Sequence, residues 1–232
     1  MNRRDIENSI HRSWIFLEKV GLGSSFGQPG ALPVNEEFRD LALSPETKYT
    51  TLYMNGLQNS HYNILLEDYS YFQYSWEKNE EVRYAYYSNP FISTGHDMEK
   101  FRRLSQLLAA DMITLEEYYT MLNDVQPEIR VPLIRYENAP GQYVALKHPC
   151  SHLHIGFHSE NRWPVRRVIT ASAFTMLIAK QYYPQEWEAL DSTLGEGFEE
   201  TLDGMLIEER QNCRIIGDDY FAELEERSFH FG

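Results

Sequence analysis

Cysteine is nearly absent. Cys150 and Cys213 are the only two in 232 residues, too few for a disulfide framework and without the paired CxxC spacing of a zinc or redox motif. No apolar run approaches the roughly 20 residues that span a bilayer. The opening Met-Asn-Arg-Arg-Asp-Ile-Glu-Asn leads into an amphipathic segment rather than the apolar stretch of a signal peptide. Positive charge is scarce too: 21 Lys and Arg face 35 Asp and Glu, a formal net charge of −14. Binding to nucleic-acid backbones rests on Lys and Arg neutralising phosphates, so duplex DNA bound over the whole surface is not expected. Gly21-Leu-Gly23 is too short and wrongly placed for a dinucleotide loop, there is no HExxH, and no repeat or low-complexity tract is evident. The expectation is a cytoplasmic protein with no membrane association.

What is present is a folding composition, 42% hydrophobic and 14% aromatic. The negative charge is unevenly spread. From Gln185 to Gly232 there are 14 acidic and 3 basic residues, either a solvated helical face or a docking surface for a basic partner.

Residues 3 to 20 carry Ile6, Ile10, Trp14 and Leu17 at helical spacing, with Gly21 and Gly23 as the stop. A Gly/Pro/Ser-rich loop follows to Pro33. Lys48 to Met54, Tyr62 to Leu66, Tyr69 to Trp76 and Val82 to Tyr87 read as a meander, with turns at Asn55-Gly56 and Lys78-Asn79-Glu80. Asp97 to Ala110 reads as a helix. A second starts at the capping box Thr114-Leu-Glu-Glu117 and ends before Pro127. Strands are expected again at Ile129 to Tyr136, Gln142 to Leu146, Ser151 to Phe157 and Pro164 to Val168. An apolar helix, Thr170 to Tyr183, is closed by Pro184, and the remainder is helical and acidic. This order predicts a single α+β domain over 1–232 with antiparallel sheet, an N-terminal helix, a central helical pair and acidic C-terminal helices. A subdivision into 1–93 and 94–232 remains open.

The segment Ser151-His-Leu-His-Ile-Gly-Phe-His158 carries the chemistry. Successive side chains of a strand point to opposite faces. Leu153, Ile155 and Phe157 would therefore face one way, and His152, His154 and His158 the other, with His148 just upstream. Histidines at i and i+2 can hold one divalent ion, zinc or manganese, with His148 or His158 as third ligand. They can equally act without metal, as general base and general acid on a phosphodiester, with Arg162 on a neighbouring strand as the phosphate clamp. Arg166 and Arg167 point to opposite faces, so only one can join the site. Tyr136 and Glu137 are candidates to orient an imidazole. The alternate tyrosines Tyr69, Tyr71, Tyr74, Tyr84, Tyr86 and Tyr87 fit sheet packing better than base stacking. Cys150 has no evident base to activate it.

The blocks Ile134-Arg-Tyr-Glu-Asn138, Lys147-His-Pro-Cys-Ser-His-Leu-His-Ile-Gly156, Arg162-Trp-Pro-Val165 and Phe174 through Gln181-Tyr-Tyr-Pro184 resemble the bacterial family catalogued as domain of unknown function 2290. Its pattern is a tyrosine–acid pair, an HPxSHxHxG block, an RxPV segment and a helix ending in YP. The resemblance implies a cytoplasmic component of a mobile or defence-associated gene cluster, working beside a protein encoded nearby. By position it places the site at His148, Ser151, His152, His154 and Arg162. A shorter likeness, Asn138-Ala-Pro140 ahead of a His-rich strand, is to small toxin-like proteins and favours nuclease action.

Two functions follow. One is a His-dependent phosphodiesterase or ribonuclease acting as a defence or toxin-type effector on RNA. In it His152, His154, His148 and Arg162 are catalytic, Ser151, Arg166, Tyr136 and Glu137 bind substrate, and His152, His154 and His158 are the metal-ligand set. The other is a non-catalytic accessory subunit of a defence or toxin–antitoxin complex, docking its partner through the acidic segment.

Overall fold

The computed structural model describes residues 2–77, 81–92, 95–122, 132–158, 160–195, 197 and 200–232, without the side chains of 95–97. Its first element is α1 (Arg3–Val20), opened by a capping box between Asn2 and Asp5 and closed by Gly21 in the left-handed conformation, φ 78°. Then come β1 (Gly23–Phe26), α2 (Glu36–Leu43), α3 (Tyr49–Gln58), β2 (Ile64–Leu66), β3 (Tyr71–Trp76) and β4 (Val82–Tyr87). The central pair is α4 (Gly95–Ala109) and α5 (Leu115–Leu122), followed by β5 (Ile134–Asn138), β6 (Ser151–Ile155), β7 (Trp163–Pro164) and β8 (Arg167–Val168). The C-terminal part is α6 (Ala171–Tyr182), α7 (Pro184–Asp191), α8 (Leu202–Asn212), β9 (Arg214–Ile215) and α9 (Glu223–Glu226).

Strands β1 to β7 form one antiparallel sheet in chain order, and β8 pairs with β9 in a separate two-stranded ribbon. The fold is α+β. Period-2 alternation gives the sheet two unlike faces. Phe72, Tyr74, Val82, Tyr84, Tyr86, Ile134 and Tyr136 turn to α1 and α6, joining Ile6, Ile10, Leu17 and Phe174 in the larger core. Tyr71, Ala85, Tyr87 and Leu133 turn the other way and pack under α2 to α5, against Phe38, Leu52, Tyr53, Phe101 and Tyr118. The tyrosines of both faces are buried, as packing requires.

Several expectations need correction. Lys48–Met54 is not a strand: α3 runs through it and through Asn55-Gly56. The buried positions Tyr49, Leu52, Tyr53 and Gly56 recur at i, i+3, i+4 and i+7, so helical spacing overrides aromatic content. Gly56 lies against the Tyr71 hydroxyl, leaving no space for a side chain. Gln142–Leu146 is a 3₁₀ turn (Pro140–Gln142) and a loop, with Leu146 left-handed at φ 62° and one bridge from Val144 to His148. α6 ends at Tyr182, with Tyr183 non-helical before Pro184 as expected, and Pro184 also begins α7, where its missing N–H costs little. The loop expected to run to Pro33 contains β1. The capping box at Thr114 is present, since Thr114 Oγ1 accepts from Glu117 N and Glu117 Oε2 accepts from Thr114 N. The turn at Lys78–Glu80 and the helix end before Pro127 lie outside the described residues.

Candidate functional site

The β5–β6 ladder builds the site. Its register pairs Glu137 with His152 and Arg135 with His154, and all four belong to the face opposite α6. Directly opposed residues have Cβ atoms about 4.5–5.5 Å apart, so the ladder alone brings a carboxylate to an imidazole. His152 and His154 are buried, at 0% and 5% exposure. Their Nε2 atoms lie 3.0 Å apart, and His152 Nδ1 donates to Pro149 O at 2.8 Å. That bond leaves the His152 Nε2 lone pair turned into the site, the arrangement that second-shell carbonyls impose on metal-ligating histidines. One ligand atom from each of Glu137, His152 and His154 falls within 4.8 Å of the others. His148 stands edge-on to His152, ring centres 5.1 Å apart, with its Nδ1 buried and without a hydrogen bond among the described residues. Burial, and then the neighbouring His154, draw the His152 pKa down to about 4. The ring is therefore neutral at pH 7, in the ligand form rather than that of a general acid.

Arg162 comes to the same place from the far side. In the β6–β7 ladder His152 opposes Pro164 and Leu153 opposes Trp163; continued by one residue, this register sets Arg162 across from His154. Asn161 completes the ladder with its side chain, which donates to Ile155 O and accepts from Ile155 N at 2.8 and 2.9 Å. Among the described residues Arg162 meets Glu160, through its carbonyl at 3.3 Å and its carboxylate at 3.7 Å, and its buried Nε finds no hydrogen bond.

Four expected site residues are elsewhere. His158 follows Gly156 (φ 105°) and is itself left-handed at φ 54°, because the strand stops at Ile155. Its Nε2 bonds Thr47 O at 2.9 Å, so it does not join the ligand set. Ser151 and Tyr136 lie on the α6 side: their hydroxyls bond each other at 2.8 Å, Ser151 Oγ donates to Arg167 O, and Tyr136 accepts from Ile169 N. They tie β5 and β6 to the chain entering α6. Arg166 ties down the C-terminal segment, pairing with Glu226 at 2.8 Å and Asp218 at 3.2 Å and covering the Phe221 ring. Glu137 belongs to the site, as the third member of the ligand set rather than only an orienting group. Cys150 is buried beside Asn138. Arg135, which sequence reasoning passed over, stands directly across from His154. Alternation from Glu137, two residues along the same strand, was the signal for it.

Residues 32–232 match the family described as "Uncharacterized conserved protein (DUF2290)". The chain belongs to the DUF2290 family. The matched region begins after β1 and contains the whole site, whereas α1, which packs on α6, precedes it. No curated protein and no solved structure matches the chain. Among the described residues no helix is long and apolar enough to cross a membrane.

Proposed function

We propose that this DUF2290 protein is a metal-dependent phosphodiester-cleaving effector of a bacterial defence or toxin-type system, acting in the cytoplasm on RNA. The observation that carries it is the convergence of Glu137, His152 and His154. His152 Nε2 and His154 Nε2, 3.0 Å apart, and a Glu137 carboxylate oxygen within 4.8 Å of both would hold one divalent ion. Two imidazoles and a carboxylate are a donor set for zinc, manganese or iron. A bound divalent ion supplies a Lewis acid and a hydroxide near neutral pH. Around it, Pro149 O would hold the His152 tautomer, Arg162 would hold a phosphate oxygen, and His148, edge-on to His152, would carry a proton. The purified chain loaded with Mn²⁺ should cleave single-stranded RNA. His154→Ala and Glu137→Gln should each lower the rate by roughly 10³-fold, about 4 kcal/mol, while remaining folded by circular dichroism. A folded variant that cleaves like the parent ends the proposal.

The complete burial of His152 favours a second reading, an accessory subunit in which the histidines are structural. The acidic segment from α7 onward would then dock a basic partner encoded nearby. Co-purification from the native operon separates the two: a stoichiometric complex that survives His154→Ala but is lost on charge reversal of Glu186 and Glu188 supports docking.

A further inference from the structure

Two clefts meet on the histidine-bearing face. One, of about 180 Å³, runs under α2 past Asn35, Phe38, His61 and Gln73. The other, of about 240 Å³, runs past Leu43, Leu52 and Phe157. Tyr87 and Arg135 line both, so they stand at the junction. Among the described residues, Arg135 Nε is buried without a hydrogen bond and its guanidinium forms no ion pair. Nearby cations are already engaged: Arg83 pairs with Glu77 and approaches Glu137, and Arg39 pairs with Asp40. A half-covered guanidinium without an anion is costly, and its planar fork suits a phosphate bidentately. Arg135 also stands directly across the ladder from His154, with Arg162 on the other side of that histidine. Aromatic rings wait in both clefts: Phe38 and His61 in one, Phe157 in the other, Tyr87 in both.

We propose that Arg135 seats the bridging phosphate of an unpaired nucleic-acid strand, with the two flanking nucleosides entering the two clefts. The inference deepens the phosphodiesterase reading and rests on it for its chemistry. A terminal phosphate would need only one cleft. A duplex would be held off by its second strand and by the acidic surface. Stacking of each base on a ring tolerates any sequence, so little base preference is expected.

The probe is the dinucleoside monophosphate thymidylyl-thymidine, titrated calorimetrically into the full chain without added metal. It should bind the wild type, more tightly than inorganic phosphate does. Arg135→Gln should weaken it at least about tenfold, and Lys19→Gln, on the exposed end of α1, should not weaken it. If Arg135→Gln does not fold, the Nε–H resonance of Arg135 in the wild type must move when the dinucleotide is added. No binding, equal binding by Arg135→Gln, equal affinity for inorganic phosphate, or an unmoved resonance would each overturn the proposal. A parallel Mn²⁺ titration separates the two ideas. Wild type and Arg135→Gln should bind Mn²⁺ alike and His154→Ala should not. Dinucleotide binding without Mn²⁺ binding would remove the metal centre and leave this site standing.

Discussion

On the face beneath α1 and α6 the central strands present Phe72, Tyr74, Tyr84, Tyr86 and Tyr136; on the other, the same strands with β6 present Gln73, Arg83, Arg135, Glu137, His152 and His154. The first face pairs most of its buried polar atoms, with Trp76 Nε1 an exception. Tyr74 meets Thr175 at 2.6 Å, Tyr86 meets Tyr183 at 2.7 Å, and Tyr136 meets Ser151 at 2.8 Å. Among the described residues, the second leaves Arg135 Nε, Arg162 Nε and His148 Nδ1 without hydrogen bonds. Buried polar groups in folded proteins are nearly always satisfied. Of these three, Arg135 lines two clefts, and under the proposed function such groups would meet the substrate.

The contrast can be broken in order of effect. Phe174 is buried between Phe72 and Tyr84, ring centres 6.2 and 5.9 Å away. Phe174→Ala should therefore lose about 3–5 kcal/mol in urea denaturation, and a loss below 1 kcal/mol would show that this face is not the principal core. Next come the opposite pH limits. His152 is held neutral in the fold with its pKa near 4, below the ~6.5 of an unfolded histidine. The unfolded chain thus binds more protons between these values, and stability should fall as pH drops from about 6.5 to 4, by roughly 1–3 kcal/mol. His152→Asn should flatten that slope. The tyrosines of the α6 side are pushed above their ordinary range by burial. Their contribution is complete below pH ~10 and is lost only as pH rises beyond it. An acid limit unchanged by His152→Asn would sever the link between burial of this ring and acid sensitivity. The smallest effect belongs to the exposed pair Arg83–Glu77, 3.0 Å apart. Glu77→Gln should shift stability by less than about 1 kcal/mol, and a larger change would mean the cleft rim is tied together more firmly than its exposure suggests.

Periodicity made β3, β4, α1 and α6 readable almost to the residue, because each has a long, one-sided apolar pattern. It failed at Tyr49–Met54, where β-branched and aromatic residues mimic a strand although burial follows a helical stripe. Of the candidate site, His152, His154, Glu137 and Arg162 were legible because strand alternation and hairpin register are local. Ser151 and Tyr136 were named as substrate-binding candidates although alternation alone sets them opposite His152 and Glu137, and the β5–β6 register puts both on the α6 side. His158 was placed with His152 and His154 by extending the strand through Gly156, whose positive φ instead turns the chain out of the sheet. Arg135 was open to the same alternation, two residues from Glu137; its place where the two clefts meet depends on α2 and α3 lying over the sheet.

Both flanks of the large sheet are blunted. β1 carries a register shift between Gly23 and Ser25, and the two-residue β7 is bridged at Val165 by Phe231, whose N–H and C=O are taken by Pro164 and Arg166. Neither flank offers a long bare ladder for another chain to extend. Strand addition at either flank of this sheet is therefore disfavoured, so contacts there would rest on side chains and could be altered by substitution without disturbing the backbone network that holds the strands together.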